Sequence, residues 1–458
     1  MTNYDLVVVG GGTGNKVARA AGDSGLETAL VSKGPIGGTC LNFGCNPSKM
    51  LIAHADAANA VREAGRFGID ATLEDVDFGG ATAAVTETLT GISDSMEQGY
   101  REHEHVDLYR TEARFVDDRT LALAGEEEPI TADRIVVATG SRPLVPPIDG
   151  LDEVDYMTNR EALRRTEQPD HLVIIGGGYI GAEIGYFYES MGTEVTVVEM
   201  LDRLVPNEDR EVGEAFTAVA RERHTVHTGA RVTSVSQDGA DITVHAEDET
   251  GEPLVVTGDA LLVAVGRRPN TDRLDLDATG IETDDRGFLE TDEYLQTTVE
   301  GVFAMGDVAG NFMFKHSADY EAELLTGNLL GADETPVDYA AMPHAVFTDP
   351  QIGGVGETEQ ALEEAGTEYV VGRATFADTA MGRARKYEVG FAKVLAAPDT
   401  GEILGFHVFG DEASTLLHEV VVAKRAGLRV PDLADTVHVH PSLSKVVWKA
   451  VRDAESKR

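Results

Sequence analysis

Cys40 and Cys45 are the only thiols in 458 residues, and they lie in Gly37-Gly-Thr-Cys40-Leu-Asn-Phe-Gly-Cys45-Asn-Pro47-Ser-Lys49. Asn46 is an expected helix N-cap and Pro47 suits a first helical position. Cys45 then falls at the positive end of a helix, where a thiolate is stabilised. Four residues separate the cysteines, and the flanking glycines let the backbone curl until the sulfurs meet. That spacing favours a redox dithiol. The same residues admit two inert buried thiols, or a metal site, for which zinc would want four ligands and only His54 is near in sequence. Towards the other end, His438-Val-His440-Pro441 offers an imidazole that could protonate a leaving thiolate, although a histidine before proline is equally an ordinary loop residue.

Two glycine turns accompany the dithiol, Gly10-Gly-Gly12-Thr-Gly14-Asn15 and Gly176-Gly-Gly178-Tyr-Ile-Gly181. Each follows an apolar strand and opens a helix, the arrangement that seats a dinucleotide pyrophosphate. In the second, Gly176 permits the tight turn, Gly178 admits the pyrophosphate and Gly181 lets helix pack on strand. Glu199 ends the next strand, where a carboxylate accepts ribose hydroxyls and repels a 2′-phosphate. It favours NADH over NADPH, with Arg203 nearby working against it. The first turn is less regular: Asn15 replaces a third glycine and Ser32 replaces an acid. Two dinucleotide seats and one dithiol imply electrons passed from one cofactor through another to sulfur.

These residues need strands and helices to hold them. Leu6 to Val9 and Thr28 to Val31 read as strands, with a helix from Lys16 to about Ala21 between them. Met50 to Val61 has helical periodicity, and Phe67 to Arg119 reads as mostly helical with loops. Arg134 to Gly140 is a buried strand, and the breaker-rich stretch 142–150 is a candidate boundary. The pattern then restarts: strand Leu172 to Ile175, helix Tyr179 to Met191, strand Glu194 to Val198. Gly301 to Asp307 is a short apolar strand ending in an acid. Beyond Thr335, segments at Ala345 to Thr348, Val389 to Val394 and Ile403 to Val408 predict an antiparallel sheet with helices.

The charge balance is extreme, 38 basic against 80 acidic side chains for a formal net charge of -42. Such a surface makes nucleic acid and anionic membrane poor partners. The acids are dispersed rather than gathered in a tail, as expected of adaptation to concentrated salt. The apolar runs are too short to span a bilayer. No leader is evident at the start, so the expected location is cytoplasmic, where two cysteines do not make a disulfide framework.

Gly37-Gly-Thr-Cys40 through Lys49, Ala138-Thr-Gly140, the second glycine turn, Val265-Gly-Arg-Arg-Pro-Asn270, Ala304-Met-Gly-Asp307, Phe347 to Gly353 and His440-Pro441 together resemble the pyridine nucleotide–disulfide oxidoreductases. The resemblance spans essentially the whole chain. It implies an α/β fold with two Rossmann-like dinucleotide-binding domains and a C-terminal α+β dimerisation domain. The implied segments are 1–145 and 267–334 for FAD, 146–266 for NAD(P) and 335–458 for dimerisation. One FAD per subunit and NAD(P)H would bind through Gly10, Gly12, Gly14, Ser32, Thr39, Lys49, Ala113, Thr139, Gly140, Ser141, Asp307, Gly176, Gly178, Gly181, Glu199 and Gly266.

The resemblance further implies that Cys45 lies beside the flavin and Cys40 attacks the substrate disulfide. Lys49 and Glu183 would form an ion pair by the flavin N5. His440, supplied by the partner subunit of a homodimer, would be the acid–base. The family's usual glutamate five residues after that histidine is Lys445 here, and a lysine disfavours an imidazolium.

Within the family, Gly14-Asn15, Lys315 to Ala318 and Ala413 to Leu417 look like mycothione reductase and its relatives, enzymes of low-molecular-weight disulfides, and with the acidic surface the resemblance extends to the bis-γ-glutamylcystine reductases. Val195 to Pro206 fits dihydrolipoamide dehydrogenase, the alternative, which would make the chain a partner in 2-oxo acid dehydrogenase complexes. An extra C-terminal cysteine pair, usual in mercuric reductases, is absent. A flavin oxidase passing electrons to O₂ normally needs only one cysteine. The dispersed acids predict that Tm and activity both fall in dilute buffer and recover in molar KCl, which thermal melts at the two ionic strengths would show.

Overall fold

The computed structural model describes residues 2–331 and 334–458. The chain opens with β1 (Thr2–Val9), α1 (Gly14–Asp23), β2 (Thr28–Val31), α2 (Gly38–Phe43), α3 (Cys45–Arg62) and α4 (Phe78–Arg101). Strands β3 (Val106–Tyr109), β4 (Ala113–Asp117), β5 (Thr120–Leu123), β6 (Ile130–Val137) and β7 (Ser141–Pro143) follow. Next come β8 (Tyr156–Met157), α5 (Asn159–Ala162), β9 (His171–Ile175), α6 (Tyr179–Ser190), β10 (Glu194–Val198), α7 (Arg210–Arg223) and β11 (Thr225–His227). A meander of β12 (Arg231–Asp238), β13 (Asp241–Glu247) and β14 (Pro253–Gly258) leads to β15 (Ala260–Val263), β16 (Arg267–Pro269), β17 (Val302–Ala304) and α8 (Lys315–Leu330). The last part holds β18 (Pro343–Val346), β19 (Gln351–Gly356), α9 (Glu359–Ala365), β20 (Val370–Thr375), α10 (Ala380–Arg385), β21 (Phe391–Ala396), β22 (Ile403–Gly410), α11 (Ala413–Arg425), α12 (Val430–Ala434) and α13 (Lys445–Lys457).

Two compact units result. The first takes the chain up to Met50, Gly80–Leu144 and Gly266–Asp338; the second takes Leu51–Gly79, Val145–Val265 and Tyr339–Arg458. In the first, seven strands run in the order β3-β2-β1-β6-β5-β4, with β17 also paired to β6. Pairings among β3, β2, β1, β6 and β17 are parallel, and Val9 lies opposite Val31 and Val137. Successive residues point to opposite faces of a strand. Leu6 and Val8 therefore pack with Val17, Ala18 and Leu325 on one side, while Val7 and Val9 pack with Phe115 and Leu121 on the other. A sheet covered on both faces reads as a continuous apolar run rather than an alternation.

The expectation of mostly helix from Phe67 to Arg119 is corrected. A short 3-10 turn ends at Phe67, only α4 is helical beyond it, and two strands begin at Val106 and Ala113. Each is four or five residues long and carries charged or polar residues, so neither builds a periodicity that stands out.

In the second unit, β11-β10-β9-β15-β8 form a parallel sheet that repeats the opening architecture. The C-terminal segment folds as the expected antiparallel sheet, ordered β18-β19-β22-β21-β20. Every residue of β21 is buried. Its inward-facing apolar residues pack with Leu416, Leu417, Val447 and Val451 of α11 and α13.

A buried lysine also lies on this strand. Lys393 on β21 is 1% exposed, and its ammonium bonds Asp209, the cap of α7, at 2.8 Å and Glu359, the first residue of α9. Burial pulls the ammonium down, but the two carboxylates hold it above the usual lysine range. Asp209 is pushed up by burial, yet His407 and Lys393 hold it below the usual carboxylate range. A depressed carboxyl contributes stability above its unfolded pKa and loses it as pH falls through the folded value. Lys393→Met strands that buried carboxylate and should cost about 3–5 kcal/mol, read as a lowered midpoint in denaturant titration.

Candidate active site

The first glycine turn is shaped by what it excludes. Gly10 has φ of +128°, and a Cβ there would lie 2.1 Å from the Ala138 carbonyl oxygen. A Cβ on Gly14 would lie 2.6 Å from the Ala138 Cβ and 3.0 Å from Val8 Cγ1, so α1 starts close against β1 and the residue that follows β6. Gly12 differs, because the nearest atom to a Cβ would be the Gly38 Cα at 4.0 Å, so its backbone is open to a ligand.

Asn15, where a third glycine was expected, has a local reason to be there. Its Nδ2 donates to the carbonyls of Gly11, at 3.2 Å, and Gly12. Tyr100 in turn donates its hydroxyl to the Asn15 backbone oxygen at 2.7 Å and to Oδ1 at 3.0 Å. Ser32 is buried just past β2 and donates to the Gly34 carbonyl at 3.0 Å.

The dithiol sits at the junction of α2 and α3. Gly37 and Gly38 both have positive φ, and a Cβ on Gly38 would lie 2.6 Å from the Gly12 Cα. Two backbones thus touch, and Thr39 and Cys40 follow directly on α2. Cys45 is the first residue of α3, so the helix starts one position before the expected cap, and Lys49 lies one turn later. Asn46 is inside the helix instead, and accepts a weak hydrogen bond from the Cys40 thiol at 3.6 Å. Both sulfurs are half-buried and present as thiols. The hydrogen bond to Cys45, then burial, pushes the Cys40 thiol well above the ordinary range. Lys315 pulls the other way and Asp319 adds to the rise.

Elsewhere in this unit, Ala113 is buried at the start of β4 and Gly140 adopts φ of +65° after β6. Among the described residues the Thr139 hydroxyl is buried with no hydrogen-bond partner. Ser141 donates to Asp307 Oδ2 at 2.5 Å, and Arg267 Nε donates to the Ser141 hydroxyl at 2.7 Å. Gly266 has φ of +131° with open space where a Cβ would be.

In the second unit the glycine turn repeats the design. A Cβ on Gly176 would lie 2.6 Å from the Ala264 carbonyl oxygen and one on Gly181 2.2 Å from the Gly176 oxygen, whereas Gly178 has nothing within 4 Å. Glu199 is buried and doubly held: Oε2 accepts from Gly177 N–H at 2.6 Å and Oε1 from Leu201 N–H at 2.7 Å. Arg203 is turned onto its own loop, with Nη1 on Asp202 at 2.8 Å. Glu183 is buried on α6 and accepts from the Phe347 N–H at 3.0 Å.

His440 is exposed and, among the described residues, makes no hydrogen bond. The neighbouring His438 is the one with a carboxylate: its Nε2 lies 2.8 Å from Glu419 Oε2, on α11. Burial raises the Glu419 carboxyl, and His438 only partly offsets this. Sequence spacing gave no sign of that pair, because 19 positions separate its members. Lys445 holds its ammonium 3.9 Å from the Trp448 ring centroid. Among the described residues no cluster of three or more His, Cys, Asp or Glu side chains could hold a metal, and no helix is long and apolar enough to cross a membrane.

Comparison with known proteins matches residues 4–322 to the family described as pyridine nucleotide-disulphide oxidoreductase, and residues 342–451 to its dimerisation domain. Mycothione reductase of Mycobacterium tuberculosis is 35% identical over 98% of this chain and 99% of its own length. Dihydrolipoyl dehydrogenase of Halobacterium salinarum is 38% identical over 99% and 96%. A solved structure, the Cu(II) complex of the HOCl-induced flavoprotein disulfide reductase RclA from Escherichia coli, superposes with a TM-score of 0.87. It is 27% identical and covers 100% of both chains.

The chain therefore belongs to the pyridine nucleotide–disulphide oxidoreductases and carries their dimerisation domain. It is an enzyme, and its cofactors are FAD and NAD(P)H. The residues present fit such groups. The turns at Gly12 and Gly178 leave room where a side chain would obstruct a pyrophosphate, and the Thr139 hydroxyl is buried with a hydrogen bond still to make. Asn15→Ala removes two bonds to the first turn and should destabilise the protein by about 1–3 kcal/mol, with flavin lost at a lower temperature in fluorescence melts.

Proposed function

We propose that this flavoprotein uses NAD(P)H, with NADH preferred, to reduce a low-molecular-weight disulfide such as bis-γ-glutamylcystine and so maintain a cytoplasmic thiol pool. The observation that carries the reading is the hydrogen-bonded Cys40–Cys45 pair, anchored through Gly38 to an open dinucleotide turn. In this reading 1–145 and 267–334 bind FAD, 146–266 binds the nicotinamide dinucleotide and 335–458 forms the dimer. Gly10, Gly12, Gly14, Ser32, Thr39, Lys49, Ala113, Thr139, Gly140, Ser141 and Asp307 hold FAD. Gly176, Gly178, Gly181, Glu199 and Gly266 hold the nicotinamide dinucleotide. The buried carboxylate of Glu199, with both oxygens held by backbone N–H groups and Arg203 turned away, supports NADH.

The bound cofactors supply a two-electron hydride relay that reduces the protein disulfide to the dithiol. The remaining chemistry belongs to the chain. A Cys40 thiol held above its usual range keeps its proton, so it needs a base before it can attack; His440 of the partner subunit takes that role. Cys40 sulfur then attacks one sulfur of RSSR, giving Cys40–S–S–R and a thiolate that collects the proton from His440. Cys45, at the positive end of α3, attacks the Cys40 sulfur, closes the protein disulfide and releases the second RS⁻, which leaves protonated. The two electrons and two protons of the dithiol leave in two RSH. Lys49 and Glu183 position the hydride-accepting end of the flavin.

Similarity to a halophile's dihydrolipoyl dehydrogenase supports a second reading, lipoamide as substrate within a 2-oxo acid dehydrogenase complex. Steady-state rates with bis-γ-glutamylcystine, lipoamide, glutathione disulfide and mycothione, each with NADH and NADPH at high salt, separate the two. The first reading requires the highest kcat/KM with bis-γ-glutamylcystine; a maximum with lipoamide overturns it. Cys40→Ser should retain flavin yet lose at least about a thousandfold in disulfide reduction, measured as nicotinamide oxidation. Normal turnover in that variant would remove the assigned roles.

A further inference from the structure

Near the dithiol lies a charged triad outside the residues assigned above to the cofactors and the exchange chemistry. Lys16 on α1 reaches Asp319 on α8 at 2.7 Å, and Lys315, the first residue of α8, bonds the same carboxylate. Both ammonium groups meet Asp319 through Oδ1. Among the described residues Oδ2 accepts no hydrogen bond, and each ammonium makes only that one. An ammonium has three donors, so each lysine keeps two N–H groups to offer. The side chains are 51% exposed for Lys16 and about 30% for Lys315 and Asp319, so a small solute can reach them.

Local stability does not account for this arrangement. A lysine at the first position of a helix opposes the helix dipole, and a basic residue four places before an acid is the weaker order of such pairs. Nor is the triad remote from the reacting sulfur. The charges of Lys315 and Asp319 both act on the Cys40 thiol, and Gly38, two residues before Cys40, touches the backbone from which α1 springs.

We propose that Lys16, Lys315 and Asp319 form the seat for the zwitterionic amino-acid head of the disulfide that Cys40 attacks. The spare lysine N–H groups take an α-carboxylate and Asp319 Oδ2 takes the neighbouring α-ammonium, so the substrate class is disulfides with γ-glutamyl-type heads. The inference rests on the disulfide-reductase reading with Cys40 as the attacking sulfur. Contact hydrogen bonds between charges discriminate even where salt cancels longer-range attraction, because screening acts on separated charges. A site built to bond a polar group also disfavours an analogue that lacks it, since its own polar groups are then left unpaired.

The test is a kinetic comparison in molar KCl of bis-γ-glutamylcystine with uncharged bis(2-hydroxyethyl) disulfide. Lys315→Gln and Asp319→Asn should each lower the ratio of kcat/KM between the charged and uncharged disulfides by about tenfold, through KM rather than kcat. Lys315→Arg should keep most of the ratio. Lys16→Gln, at a more exposed position, gives the same reading should a change on α8 disturb folding. An unmoved ratio, or equal losses on both substrates, overturns the seat. Wild-type enzyme that reduces neither disulfide overturns the underlying reading instead, so the two failures are distinguishable.

Discussion

Much of the first unit depends on a contact that no side chain makes. Gly38 and Gly12 meet backbone to backbone, and a single Cβ would stand 2.6 Å from the opposing Cα. One glycine belongs to the turn that opens α1, the other to the segment that carries the cysteines. Where the sulfurs lie relative to the dinucleotide turn is therefore fixed by an absence of atoms. Positive φ at Gly37 and Gly38 makes the segment bend at that place, so conformational freedom and close approach are demanded together. With this segment placed, α2 delivers Cys40 and α3 begins at Cys45, where the helix dipole favours a negative sulfur.

The parts of the fold that the sequence announced are those where local chemistry and global architecture agree. Thr28–Val31 and Glu194–Val198 have the bounds read from their apolar runs, because strands buried on both faces leave little room for polar residues. The glycine turns were legible for a related reason, since only glycine meets the steric demand at Gly10 and Gly176. The strands after α4 were hidden by their brevity and by polar faces. The bonds from Asn15 to Gly11 and Gly12 were equally invisible, because they depend on a turn that already exists. Of the candidate site, residue types and order were readable; hydrogen-bond partners, such as Ser141 with Asp307, were not, as 166 positions separate them.

Charge near the C-terminal histidines is distributed differently from what spacing suggested. Lys445 spends its charge on the face of Trp448, an attraction between cation and ring quadrupole, instead of directing it at an imidazole. The carboxylate in this region comes from Glu419, a helix away in sequence, and it holds His438, whose side chain is 8% exposed. His440, two positions later, is left solvent-facing. Neighbouring Val437 and Val439 are 95% and 75% exposed, the kind of apolar surface that a dimerisation domain covers.

The enclosed ammonium of Lys393 has a meaning that depends on the medium. In brine, with a screening length of about 3 Å at 1 M, ion pairs on the outside of a protein are bathed in competing counter-ions. Lys393 and Asp209 are 1% and 0% exposed, so dissolved ions compete for their pairing far less than at the surface, while Glu359 keeps 30% of its side chain exposed. The hold of β21 on the start of α7 is thus shielded from the electrolyte outside, more so than its partly exposed bond to the start of α9. A polypeptide with 80 acidic side chains keeps, at this junction, a rivet set largely beyond the reach of dissolved ions.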